Sequence, residues 1–205
     1  MKQELEYNQI SFSQSPKNII IAFHGWNGNK NSFKPIAKNT KILNSKWYFP
    51  EAPYKIPNKN NKSWSYEISE GTWEVEEPKK LINKFLNEQI FKNYINKNIY
   101  MMGFSQGAMI CYELLSHLTI PISGYFPIAG FIRNKKRNII HESQIKAKIF
   151  IGHGKSDDVI SYKQSYEAYK QLLDKNANVD IMLYNGKHKI SLDYLKKFKK
   201  IIKNG

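Results

Sequence analysis

The chain alternates short apolar runs, each closed by glycine, proline or a polar cluster, with longer stretches of helical spacing. Asn18 to Phe23 (Asn-Ile-Ile-Ile-Ala-Phe) is a continuous run of mostly β-branched residues, the composition of a strand covered on both faces. Leu5 to Phe12 alternates weakly and predicts an edge strand. Trp47-Tyr48-Phe49 predicts a brief strand, stopped by Pro50-Glu51-Ala52-Pro53. Further apolar runs at Ile99 to Met102, Pro121 to Ala129, Lys146 to Gly152 and Val179 to Tyr184 read as strands.

Helical spacing fills the intervals. A short helix is predicted over Ser32 to Lys38. Pro78 sits where a second would begin, and Leu81, Ile82, Phe85, Leu86, Ile90 and Tyr94 carry it to about Lys97. After the Ile99 run, Ala108, Cys111, Leu114 and Leu115 mark a third apolar face. Tyr162 to Ala177 and Leu192 onward are the last two. Strands alternating with helices predict an α/β fold, a mainly parallel sheet of about seven strands with helices on both faces. Tyr54 to Glu77 alone has no periodicity. It reads as a long loop of lysine, asparagine and proline, and its Trp64, Tyr66 and Trp73 suggest that it lines a substrate channel rather than only covering the edge of the sheet.

At 205 residues the chain is expected to form one domain. Hydrophobic residues at 41% and charged residues at 24% are those of an ordinary globular protein. Met1 to Glu6 has no apolar run resembling a signal peptide, and no stretch approaches the ~20 apolar residues of a membrane span. The single cysteine, Cys111, rules out a disulfide framework and a multi-cysteine metal site. A cytoplasmic setting is expected. The net charge of +15 is carried by lysines spread along the chain, with Arg133 and Arg137 the only arginines. A nucleic-acid reader would be expected to use arginine forks, so a solvated lysine surface is the expectation and nucleic acid is not an expected partner. Salt-sensitive contact with anionic lipid headgroups is compatible with the same charge.

The candidate chemistry lies at Gly103-Phe104-Ser105-Gln106-Gly107, between a predicted strand and a predicted helix. Strand, Gly-x-Ser-x-Gly, helix is the setting of a nucleophile elbow. The turn strains the serine backbone and leaves no room for side chains two residues to either side. Ser105 would stand at the carboxyl edge of the sheet, with the Gln106 N–H aimed at the reacting carbonyl.

A serine hydroxyl needs a base, and the base needs a carboxylate. No aspartate occurs before Asp157-Asp158, which follow the strand ending at Gly152. In elbow folds the order is Ser, acid, His. Of the five histidines, His188 alone follows Asp157, just past the Val179 to Tyr184 strand. Ser105, Asp157 and His188 are therefore the expected triad. Asp158 stands as the alternative acid and His153 as a weaker alternative base, while His24 is expected to order the glycine-bearing loop after Phe23. Gly154-Lys155-Ser156 imitates the end of a phosphate-binding loop, but Ile149 occupies the position where that motif needs glycine.

With these pieces the chain resembles the phospholipase/carboxylesterase family, the α/β-hydrolase branch that includes acyl-protein thioesterases. The resemblance rests on His24-Gly25-Trp26-Asn27-Gly28, Gly103 to Gly107, His153 to Ile160 and Gly186 to Ser191, and spans roughly Ile19 to Ser191. Phe49-Pro50-Glu51-Ala52-Pro53, with Trp64 after it, is similar to the family's loop after the third strand. The resemblance implies an α/β-hydrolase fold without a large lid. It also implies Ser105 as nucleophile, Asp157 as orienting acid, His188 as base, and the N–H groups of Trp26 and Gln106 as the oxyanion hole. Trp64 is the implied substrate-lining residue, and the bulky indole of Trp26, where the family usually carries leucine or another aliphatic or aromatic residue, would narrow or cover the acyl site. Ser161 stands where family members often have proline. The implied reaction is hydrolysis of a carboxylic ester or thioester through an acyl-enzyme, with no metal or organic cofactor. The substrate would be a small ester or thioester, a lipid or an acylated protein. A binding protein on a hydrolase scaffold is the rival from another class.

Overall fold

The computed structural model describes residues 4–57, 59, 61–70, 72–133 and 138–204. Seven strands form the central sheet: β1 (Tyr7–Ser11), β2 (Asn18–Phe23), β3 (Ser45–Pro50), β4 (Asn98–Phe104), β5 (Gly124–Ile128), β6 (Lys148–Gly154) and β7 (Val179–Tyr184). Their order across the sheet is β1-β3-β2-β4-β5-β6-β7. β1 runs antiparallel to β3 and every other pairing is parallel, so β2 and β4 to β7 all end on one edge.

Alternating residues of each central strand feed two cores. Ile19, Ile21, Phe23, Met101, Tyr125, Ile149 and Ile151 face α2 (Glu76–Phe85), α3 (Gln106–His117) and α4 (Tyr162–Asp174). Ile20, Ala22, Tyr100, Met102, Phe126 and Phe150 face α1 (Lys34–Thr40) and α5 (Leu192–Asn204). All six residues of β2 are buried, as a strand covered on both sides requires.

The expected helix from Pro78 to Lys97 is shorter and changes its winding. α2 passes into a π-helical segment, Leu86–Phe91, closed by the Lys92 N–H to Asn87 carbonyl bond at 3.3 Å. Ile82, Leu86 and Ile90 recur every fourth residue, which outruns a turn of about 3.6 residues. The wider turn keeps Leu86 and Ile90 in the core. Tyr54 to Glu77 is also more ordered than a loop. Tyr54–Lys55 pairs with Lys62–Ser63, and Glu67–Ser69 pairs with Thr72–Trp73. Ser161, the family's proline position, starts α4 by accepting a 3.4 Å bond from the Lys163 N–H.

Candidate active site

Ser105 lies between β4 and α3 with φ 55° and ψ −117°, a left-handed conformation that a residue with a side chain adopts only under constraint. The neighbouring glycines are required sterically. A Cβ on Gly107 would collide with the Phe23 carbonyl, and one on Gly103 with the Gly107 carbonyl. The elbow therefore fits only where strand and helix come this close. The Ser105 N–H is tied to the Ile128 carbonyl at 2.8 Å, and its own carbonyl accepts from Ala108 at 2.9 Å. Among the described residues neither the Gln106 nor the Trp26 N–H has an acceptor. The loop carrying Trp26 packs on the elbow, for a Cβ on Gly25 would lie 3.3 Å from Ser105 Cβ.

Asp157 and His188, from the ends of β6 and β7, meet at 2.7 Å between Oδ2 and Nδ1. The His188 ring lies against Phe104, which precedes Ser105 in the chain, with ring centroids 4.8 Å apart. The Asp157 carboxylate is fully enclosed. Burial acts to raise its pKa, but the Ile160 N–H, His188 and the Val159 N–H outweigh it and hold the carboxyl below the ordinary range. With the Nδ1–H donating its hydrogen bond to the carboxylate, the Nε2 lone pair of His188 is available as a base.

Sequence reasoning missed that Asp157 serves two histidines. His153 Nε2 lies 3.0 Å from the same Oδ2 and 2.9 Å from the Ile160 carbonyl, while its Nδ1 faces Ser165 Oγ at 2.7 Å. Burial lowers its pKa despite those acceptors. It is enclosed on every side, and its ring nitrogens are taken up by Asp157, Ile160 and Ser165. Asp158, the alternative acid, points outward and pairs with Lys187 at 3.1 Å.

His24 orders the loop after β2. The Ala52 N–H donates to Nε2 at 3.1 Å, so the ring proton sits on Nδ1 and is donated to the Gly25 carbonyl at 2.7 Å. Burial keeps this imidazole neutral, with its pKa below the usual histidine value.

Trp64 requires a correction. It is fully buried and does not line the large cavity. Its Nε1–H donates to the His24 carbonyl at 2.9 Å, and its ring packs edge-on against Phe23. An indole with a backbone acceptor inside the protein is more stable there than in a channel. It props up the loop bearing Trp26, and Trp73 is the loop aromatic that faces the cavity. The Gln106 side chain completes the brace. Its oxygen accepts from the Trp64 N–H at 2.8 Å, and its nitrogen donates to Ser63 and Ser65 hydroxyls at 3.0 and 2.9 Å.

The cavity beside Ser105 has a volume of about 750 Å³. Ser105 and Gln106 lie on it with Trp26, Trp73, Val75, Met109 and Phe131, and it also takes in Glu113 and Arg133. Trp26 is 57% exposed, with the Lys59 ammonium 4.8 Å above its ring, so the indole stands at the rim and leaves the cavity open. Arg133 donates from Nη2 to Ser65 Oγ at 2.9 Å, and burial lowers its pKa against the pull of the Glu113 charge. Among the described residues no cluster of three or more His, Cys, Asp or Glu side chains is placed to hold a metal.

A parallel sheet with a strained serine at the carboxyl end of a central strand, and helices on both faces, defines an α/β-hydrolase. The chain belongs to the phospholipase/carboxylesterase family, whose model matches residues 7–204. It is 30% identical to acyl-protein thioesterase 1 of Kluyveromyces lactis, over 89% of this chain and 90% of that protein. It is 31% identical to acyl-protein thioesterase 1 of Candida albicans, over 93% of each. In three dimensions it is similar to the carboxylesterase of Bacillus cereus, with a TM-score of 0.84, 20% identity, and 98% of this chain and 95% of that one covered. No helix among the described residues is long and apolar enough to cross a membrane.

Proposed function

We propose that this protein is a serine hydrolase of carboxylic esters and thioesters, with carboxylesterase activity as its main chemistry. The observation that carries the reading is the strained Ser105 at the start of α3, next in sequence to the Phe104 ring that packs on His188, whose Nδ1 is held 2.7 Å from the enclosed Asp157 carboxylate. His188 Nε2 takes the Ser105 proton as Oγ bonds to the substrate carbonyl carbon. The Trp26 and Gln106 N–H groups receive the negative oxygen, and Asp157 stabilises the imidazolium. Collapse expels the alkoxide or thiolate, which His188 protonates, leaving the acyl group on Ser105. Water then gives a proton to His188, attacks the acyl carbon and releases the acid, and the proton returns to Ser105. Each step uses side chains and backbone of this chain.

The second reading, acyl-protein thioesterase, is favoured by the two yeast relatives that carry that name and by the open cavity with Trp26 and Trp73 exposed at it. A cytoplasmic setting belongs to the same proposal and is supported by a lone, buried cysteine. The test is hydrolysis of p-nitrophenyl butyrate by wild type and Ser105→Ala. Wild-type turnover should fall by about 10⁵ or more in the variant while its melting temperature stays close to wild type. Equal rates would refute the nucleophile, and a folded wild type with no turnover on any ester would favour a binding protein on a hydrolase scaffold.

A further inference from the structure

Resting on the hydrolase reading, we propose that Arg133 and Glu113 form a polar stop in the acyl site and make short- and medium-chain acyl groups, up to about eight carbons, the substrate class of this protein. The leaving group must lie where His188 can protonate it, and His188 does not line the cavity. The acyl chain therefore takes the cavity, which begins at Ser105 and Gln106.

Ser105, Met109 and Glu113 follow at four-residue spacing along one face of α3. Eight residues at a rise of about 1.5 Å put the Glu113 backbone about 12 Å from the nucleophile. Its side chain leans back toward the helix N-terminus, which shortens the free run. With C–C bonds of about 1.5 Å, an extended acyl chain advances about 1.25 Å per carbon, so about eight carbons bring its methyl group to the pair. Apart from Thr72 and this pair, the rest of the lining beyond Ser105 and Gln106 is apolar, formed by Trp26, Trp73, Val75, Met109 and Phe131.

Beyond that length the chain would press methylenes onto charged groups. Arg133 makes one hydrogen bond, to Ser65 Oγ, and no ion pair among the described residues, so most of its donors depend on solvent in the cavity. An alkyl chain laid across them displaces that solvent without replacing its hydrogen bonds. Ser65 also accepts from Gln106, so the stop is fixed to the same brace as the oxyanion donor.

The experiment is a kcat/KM series on p-nitrophenyl esters from acetate to palmitate, presented in mixed micelles of constant composition. It is run for wild type, Arg133→Met, Arg133→Lys and Glu113→Leu, with melting temperatures recorded. Wild type should peak between butyrate and octanoate and fall at least about tenfold by laurate. Arg133→Met should raise the laurate-to-butyrate ratio at least about tenfold, and Glu113→Leu should move it in the same direction. Arg133→Lys should keep the cut-off, and Glu113→Leu carries the test if Arg133→Met does not fold, an unchanged ratio in folded Glu113→Leu then overturning the stop. A wild-type profile that is flat or favours palmitate overturns the stop, as does an unchanged ratio in folded Arg133→Met. Absence of Ser105-dependent hydrolysis on every ester overturns the hydrolase reading and the stop with it.

Discussion

Asp157→Asn tests the charge arrangement most directly. Asp157 Oδ1 accepts the Val159 and Ile160 N–H groups, both at 2.9 Å, and Oδ2 receives His188 at 2.7 Å and faces His153 at 3.0 Å. The two backbone donors cannot turn away, so an asparagine keeps its oxygen toward them and points its NH₂ at the two imidazoles. His188 can meet that NH₂ only by accepting at Nδ1, which moves its proton to Nε2 and removes the base. In Ser-His-Asp triads the corresponding change costs about 10⁴ in kcat. At about 1.36 kcal/mol per factor of ten, that is ~5 kcal/mol of barrier. The folding cost should be smaller, about 1–3 kcal/mol, because His153 retains the Ile160 carbonyl at 2.9 Å. Steady-state kcat on p-nitrophenyl butyrate near pH 7.5, with urea unfolding alongside, separates the two effects. Asp158→Asn is the comparison, since that carboxylate faces solvent and should leave kcat within about twofold. More than about a tenth of wild-type kcat surviving in Asp157→Asn, or an equal loss in Asp158→Asn, would refute the assignment of the acid.

Two further outcomes follow from buried groups. Trp64→Phe leaves the His24 carbonyl without its 2.9 Å donor, so urea unfolding should show a loss of about 1–3 kcal/mol while the ester chain-length profile keeps its shape; a changed profile at unchanged stability would return Trp64 to the substrate site. His24 and His153 both have pKa values lowered by burial, so below the ordinary histidine pKa of about 6.5 the unfolded chain takes up protons that the folded chain does not. Their contribution to stability is complete above that pH and is lost as pH falls through the lowered values. Unfolding free energy measured from pH 8 to pH 5 should decline, with a shallower slope in His24→Gln, and a flat or rising curve would contradict the buried neutral state.

β2 and β7 have the bounds that their sequences suggest, Asn18–Phe23 and Val179–Tyr184, because an apolar run cut off by polar residues carries its limits within itself. The edge of the sheet was equally readable: Ser105, Asp157 and His188 each follow a parallel strand, and the structure brings the last two into contact. Other features depend on partners distant in the chain. Strands of two or three residues between Tyr54 and Glu77 show no period and are held by the Gln106 side chain and by Lys62 paired with Gly28. Trp64 looked like a channel residue because composition cannot reveal that the His24 carbonyl waits for it. Arg133 was visible only as one of two arginines, since its place beside Glu113 arises from the packing of the β5 loop on α3.

The Gln106 brace also divides the substrate loop into a part that must stay and a part that can be exchanged. Ser63, Trp64 and Ser65 are buried and bonded to Gln106. Tyr66, just before the paired strands Glu67–Ser69 and Thr72–Trp73, and Ile68 and Trp73 on them have much of their surface exposed. That segment is a natural cassette. A library confined to residues 66–74 can remodel what the cavity mouth admits while the hydrogen bonds that hold the elbow stay fixed, whereas recombination cut at residue 63 or 64 would carry the fault into the loop bearing Trp26.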